Sequence, residues 1–255
     1  TNLGIIDDIS ALKFSSNVYQ FHTAMKVGKA NYQYNQKIDI DPNAFDIYRK
    51  TFKEFGLGVL TGIDLPVESL GYTSDSTLPG HLLDFSIGQF DTYTPIQLSQ
   101  YINTIANGGY RIQPHLLKAV YNPTKDGLTD LLYEVKPTIF NKVDLEDKYM
   151  DRIQEGFRAV MTSSGLGVSF IDSKYNAAGK TGTSESFIDT DGDGIVDTET
   201  MSNTFGAYAP YDDPTVSFVV ISPDIFYKEG SSTSRAPINR LISYRISQKY
   251  FDLYK

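Results

Sequence analysis

Two short runs hold the residue types that could do chemistry in this chain: Lys180-Thr181-Gly182-Thr183 and, far upstream, Ser15-Ser16-Asn17. Together they offer hydroxyls, an ammonium and a carboxamide, the groups of serine-type acyl transfer. A hydroxyl is a poor nucleophile at its own pKa, so such a site needs a base close by. Each run is weak alone. Residues 178–183 read as a strand opening a hairpin, where a lysine is ordinarily a solvated cation. Ser16 or Asn17 reads equally well as the cap of the helix that follows. In this order, and 180 − 15 = 165 residues apart, the two runs support each other, because the interval suits a helical subdomain between them.

The elements that would position these residues follow from periodicity and punctuation. A helix over Ile5–Leu12 leads into Ser15, and Val18, Phe21 and Met25 mark one face of the next helix. Residues 29–43 are polar and irregular, and Asp41-Pro42-Asn43 opens a short helix through Phe52. The stretch from Phe55 to Pro66 is glycine-rich and loop-like. Thr94-Pro95 with Gln97 forms a capping box for a helix to Asn107, with Leu98, Ile102 and Ile105 on one side and Gly108-Gly109 at its end. Residues 110–140 read as short strands and turns. Tyr149, Ile153, Phe157 and Val160 mark another helix, ending at Ser163-Ser164-Gly165. Strand-like runs at Asn176–Phe187, Thr204–Ala209 and Thr215–Ile221 precede a last helix from Pro237, striped by Ile238, Leu241, Ile242 and Ile246. The order predicts an α/β protein of the α+β type, an antiparallel sheet flanked by helices with a helical subdomain.

Composition bounds the rest. The chain has 255 residues, 40% hydrophobic and 21% charged, which suits a globular domain with a sizeable core. A net charge of −8 argues against nucleic acid as a partner. With no cysteine, thiolate catalysis, disulfides and cysteine-held zinc are excluded. No apolar run approaches the ~20 residues of a membrane helix.

Two longer stretches add specificity: Phe55-Gly56-Leu57-Gly58-Val59-Leu60-Thr61-Gly62-Ile63-Asp64-Leu65-Pro66-Val67-Glu68, and Ser86-Ile87-Gly88-Gln89 through Thr94-Pro95-Ile96-Gln97-Leu98 to Asn107-Gly108-Gly109. With the two short motifs and Phe205-Gly206-Ala207-Tyr208-Ala209-Pro210, they resemble the transpeptidase domain of class B penicillin-binding proteins over nearly the whole chain. The resemblance implies a fold like that of penicillin-binding transpeptidases and serine β-lactamases. It implies a peptidoglycan D-alanyl-D-alanine transpeptidase working through a serine acyl-enzyme and inhibited by β-lactams. Residue by residue, it makes Ser15 a proton relay to the leaving amine and Asn17 a partner of the substrate amide. Lys180 holds the Ser15 hydroxyl and provides a positive field for the substrate carboxylate. Thr181 and Thr183 bind that carboxylate or the acyl chain, and Gly182 lets the substrate backbone approach the strand edge. It also implies the peptidoglycan stem peptide and cell-wall elongation or division proteins as partners. The location is the extracytoplasmic face of the plasma membrane, anchored by a helix outside this chain. A β-lactam sensor or a non-catalytic scaffold of the same fold are the alternatives. The Gly62–Pro66 and Thr94–Leu98 stretches speak against the sensor, and the intact Ser15, Asn17 and Lys180–Thr183 against decay.

The family's nucleophile lies in a Ser-x-x-Lys motif. The chain has one, Ser10 to Lys13, but it starts only 15 − 10 = 5 residues before Ser15. The mechanism needs nucleophile and relay serine on separate elements meeting across a cleft, so Ser10 does not qualify. Residues 1–255 are therefore expected to be the C-terminal portion of one transpeptidase domain, with 18–170 mainly helical and 171–255 forming strands and the last helix. The N-terminal part, carrying nucleophile, base and two strands, is expected to be a required partner, and the segment alone to be inactive and poorly folded.

A second feature is Asp189-Thr190-Asp191-Gly192-Asp193-Gly194, with Asp197 beyond. Carboxylates at positions 1, 3, 5 and 9 and glycine at 6 match a calcium loop, so a structural Ca2+ at 189–200 is one reading. Thr200 stands where glutamate would close an EF-hand, Glu199 comes one residue early, and no helix flanks the loop. A solvated hairpin tip is the other reading. The histidines, His22 on a helix and His81 and His115 in loops, do not cluster.

Overall fold

The computed structural model describes residues 3–125, 127–162, 175–225 and 238–254. Helices α1 (Asp8–Phe14), α2 (Asn17–Val27), α3 (Asn43–Glu54), α4 (Pro79–Ser86) and α5 (Pro95–Ala106) come first. Strands β1 (Tyr110–Ile112), β2 (Ala119–Thr124), β3 (Gly127–Glu134) and β4 (Ile139–Lys142) follow, then α6 (Asp147–Val160). Strands β5 (Ala178–Ile188), β6 (Thr198–Ala209) and β7 (Val216–Ile225) and helix α7 (Ile238–Tyr254) complete the order. The expected helix stop at Ser163–Gly165 and helix start at Pro237 lie outside the described residues.

The central sheet is antiparallel in the order β5-β6-β7. Side chains alternate across a strand, and β6 uses both faces. Phe205, Ala207 and Ala209 pack with Tyr175 and Phe251 on the α7 side. Tyr208 packs with Ile102, Ile105 and Phe157 of α5 and α6 on the other. Gly206 lets α5 press onto the sheet, since a Cβ there would lie 2.7 Å from Ile102 Cδ1. A separate helical lobe gathers Ala24, Ala44, Phe45, Leu82 and Phe85 from α2, α3 and α4. Arg49 of α3 ties it down, donating to both carboxylate oxygens of Asp91 and to Ser74 O at 2.7–3.0 Å.

The long loop of residues 55–72 is fastened by glutamines of α5. Gln97 is fully buried. It completes the capping box with Thr94 and donates to Val59 O (2.7 Å) and Leu70 O (3.2 Å). One turn on, Gln100 donates to Ile112 O (2.9 Å) and Thr61 O (3.3 Å).

Three expectations are corrected. His81 lies not in a loop but on α4, a helix opened by Pro79 and buried through Leu82 and Phe85. Its eight residues and Pro79-Gly80 start look like a turn in sequence. The apolar stripe of α7 faces outward, Ile238, Leu241, Ile242 and Ile246 being 39–48% exposed. The helix buries Asn239, Ser243, Ser247 and Phe251 instead. Small side chains let it lie close, and Asn239 satisfies Asn203 O and Val220 O. Val18 of α2 and Tyr149 of α6 also point outward.

Gln97→Leu keeps the volume but leaves two carbonyls without donors, so it should cost roughly 1–3 kcal/mol. Denaturant unfolding of the full-length protein measures it, and an unchanged midpoint would deny Gln97 this fastening role.

Candidate active site

Ser15, Ser16 and Asn17 form the elbow between α1 and α2. Asp7 caps α1 by accepting the Ser10 N–H at 2.8 Å. Ser15 ends that helix in the left-handed region, φ 53° and ψ 54°. This conformation is uncommon for a residue with a side chain and is often found at functional positions. Ser16 then caps α2, its hydroxyl accepting the Tyr19 N–H at 3.3 Å. Asn17 is the first residue of α2 and is exposed. The turn presents the Ser15 hydroxyl outward.

Lys180 meets it there. Its Nζ donates to Ser15 Oγ and to Thr181 O, both at 2.8 Å. Lys180 shares the sheet face of Ala178, which packs among Ile105 and Phe157, and among the described residues it has no carboxylate partner. Burial disfavours the charged form, lowering its pKa from 10.5 to about 8.

Within the described residues β5 pairs only with β6, so its other edge is open. Gly182 and Thr183 are exposed and Thr181 is half-buried. A Cβ on Gly182 would sit an ordinary 3.7 Å from Thr204 Cβ, so internal packing does not demand glycine there.

Ser10 serves the opposite end of α1, and among the described residues no hydrogen bond joins it to Lys13, whose ammonium lies over the Phe14 ring. The acidic loop lies 189 − 180 = 9 residues further along the hairpin than Lys180. One carboxylate oxygen each of Asp189, Asp191 and Asp197 lies within 4.8 Å of the others, and Asp193 falls outside this group, against the expected four. Asp189 accepts the Gly192 and Gly194 N–H groups at 2.7 Å, which hold its carboxyl below the usual range. Asp193 accepts Ile195 N–H, and Asp197 accepts the Thr190 and Thr198 hydroxyls. His22 is exposed on α2, His81 Nδ1 lies 2.5 Å from Ser76 Oγ, and His115 Nδ1 lies 2.7 Å from Leu117 O.

Sequence reasoning missed Asp8 and Arg152, which join α1 to α6 by a two-pronged ion pair. No local pattern links residues 144 apart.

The lowered pKa of Lys180 has a stability consequence with a definite sign. Between about 8 and 10.5 the unfolded chain holds the extra proton, so folding gains stability as pH rises through that window. Relative to Lys180→Met, the wild-type full-length protein should gain up to roughly 3 kcal/mol across it. Denaturant midpoints of both proteins at the two ends of the window test this, and a constant difference would mean that Lys180 titrates as in water.

Residues 5–243 match the family model described as the penicillin binding protein transpeptidase domain. Penicillin-binding protein 2A of Bacillus subtilis (strain 168) is 43% identical over 253 residues, 99% of this chain and 35% of that protein. The peptidoglycan D,D-transpeptidase MrdA of Haemophilus influenzae is 26% identical over 269 residues, 98% of this chain and 38% of that protein. The solved structure of penicillin-binding protein 2B from Streptococcus pneumoniae strain R6 superposes with a TM-score of 0.84 at 33% identity, covering 98% of this chain and 39% of that one. The chain thus spans little more than a third of the length of these relatives. With its helix-backed antiparallel sheet and its signatures in order, it belongs to the penicillin-binding protein transpeptidase family, among the class B proteins.

Proposed function

We propose that this chain forms part of a peptidoglycan D,D-transpeptidase and supplies one wall of its acyl-transfer site. The observation that carries the reading is the 2.8 Å bond from Lys180 Nζ to Ser15 Oγ beside the open edge of β5. A serine hydroxyl outside this sequence attacks the carbonyl between the two terminal D-alanines. The C–N bond breaks, an ester forms, and D-alanine leaves with a proton relayed through Ser15. An amine from a neighbouring stem peptide then attacks the ester, and the serine regains its proton. Lys180 orients Ser15 and faces the substrate carboxylate. Asn17 holds the substrate amide, and Thr181 and Thr183 hold the carboxylate or acyl chain. The Thr183 N–H serves as an oxyanion donor, a group worth ~3 kcal/mol in such sites. The peptide backbone adds to β5 as a further strand, passing over Gly182. β-Lactams, which imitate the D-alanyl-D-alanine end, acylate the same serine. Nothing in this proton path calls on a metal.

The rest of the same polypeptide completes the site. Exposed Phe14 and Val18 flank the Ser15 elbow. A groove of about 400 Å³ beside it is lined by Ile5, Ser16, Val18, Tyr19 and His22. This apolar ground suits the nucleophile-bearing segment, and the outward stripe of α7 suits more of the same chain. The whole protein would be anchored on the extracytoplasmic face and work with elongation or division proteins. No helix among the described residues is long and apolar enough to cross a membrane.

A fluorescent penicillin tests the reading. Full-length protein should label covalently, and Ser15→Ala should slow labelling about 10²–10⁴-fold, the range of a lost proton-transfer group. Labelling of Ser15→Ala at the wild-type rate, or covalent labelling of residues 1–255 alone at Ser10, would overturn it.

A further inference from the structure

Helix α6 packs against both α1, which leads into Ser15, and β5, which carries Lys180. Arg152 reaches Asp8 in the first turn of α1 through two guanidinium nitrogens, the Nε bond being 2.7 Å. One turn on, Gly156 lies against Leu12, where a Cβ would overlap Leu12 Cδ1 and stand 3.0 Å from Leu12 Cβ. From 8 to 12 and from 152 to 156 the contacts advance by four residues, about one helical turn. The two helices therefore run side by side in the same direction. Continued by another turn, this register brings Ser15 level with the end of α6. There Arg158 Nη1 donates to Ala177 O at 2.9 Å, immediately before β5. Phe157 of α6 and Ala178 of β5 share one buried cluster, and Lys180 follows two residues later.

We propose that α6 is the positioning element of the site. Arg152 and Gly156 set the height of α1, Arg158 sets that of β5, and together they fix the separation of Ser15 and Lys180. The Arg152–Asp8 pair is 41% and 44% exposed. Ion pairs this open add little to folding stability, so its use is registration. Gly156 works by what it lacks, because a Cβ there would overlap Leu12 Cδ1 and crowd Leu12 Cβ, pressing α1 off its seat on α6. None of these residues touches the substrate.

The inference rests on the reading of Ser15 and Lys180 as the proton path. The experiment therefore includes Ser15→Ala as a control in full-length protein, with penicillin acylation resolved into affinity, acylation rate constant and active fraction. Gly156→Ala should lower the rate constant about tenfold to a hundredfold, as a misplacement of about an ångström does. Affinity and active fraction should stay near wild type. The limb of the pH profile that belongs to Lys180 should move, since its ammonium loses the Ser15 hydroxyl. Leu12→Ala added to Gly156→Ala should recover part of the rate and of the limb, because it removes the Leu12 Cδ1 and Cγ atoms that meet the new methyl and leaves only the Cβ contact. Arg152→Ala should behave like Gly156→Ala, and the exchanged pair Asp8→Arg with Arg152→Asp should recover part of the rate. A lower active fraction with an unchanged rate constant and pH limb would overturn the positioning role, as would failure of both compensated variants to recover. A Ser15→Ala protein that acylates normally would instead remove the proton-path reading beneath it.

Discussion

One hydrogen bond, from the Lys180 ammonium to the Ser15 hydroxyl, joins groups 165 residues apart, and much of the molecule serves to make that meeting possible. Ser15 needs a helix that stops abruptly and another that starts at once. Ser15 itself makes the stop, in a left-handed turn whose backbone N–H groups close on Ala11 O and Leu12 O, and Ser16 caps the start of α2. Lys180 needs a strand held flat with its far edge free. The sheet provides this by burying β6 between α5 and α6 on one side and α7 on the other. Gly206, directly opposite Lys180 in the register, leaves room for Ile102 of α5 against the sheet.

Both partners sit in conditions that folding alone would not select. A serine in the left-handed region is conformationally unfavourable, and a half-buried ammonium without a carboxylate is electrostatically unfavourable. The core that offsets them lies next door: Phe205, Ala207, Tyr208 and Ala209 are fully buried in the adjacent strand. The depressed pKa of Lys180 is the electrostatic sign of the same tension. It keeps the group near the point where it gives up a proton while it donates to the Ser15 hydroxyl.

The site was legible where its signals are local. The capping box at Thr94 and Gln97, the strand expected over Asn176–Phe187 and found at Ala178–Ile188, and the helix break at Ser15 are written in neighbouring residues. What was not legible depends on which face meets which. The isoleucines of α7 obey helical periodicity and still point away from the sheet, because close approach rewards Ser243 and Ser247 over larger side chains. Helix α4 was hidden by its proline–glycine start. The Asp8–Arg152 pair was invisible because sequence spacing carries no record of two helices packing side by side. The acidic loop brings oxygens of Asp189, Asp191 and Asp197 together and leaves Asp193 outside, a grouping that residue spacing does not reveal.

The open border of β5 has a directional property. It runs eleven residues with no strand beside it among the described residues, and such a border accepts any extended backbone, including that of another molecule. Two charges mark it, on opposite faces of the strand: the cation of Lys180 near one end and the exposed carboxylate of Glu185 five positions along. An extended chain laid along this border would pass the cation near one end and the carboxylate, on the opposite face, farther along, so its two directions would not be equivalent. The free border thus carries a direction of its own, set by where its charges fall rather than by its backbone.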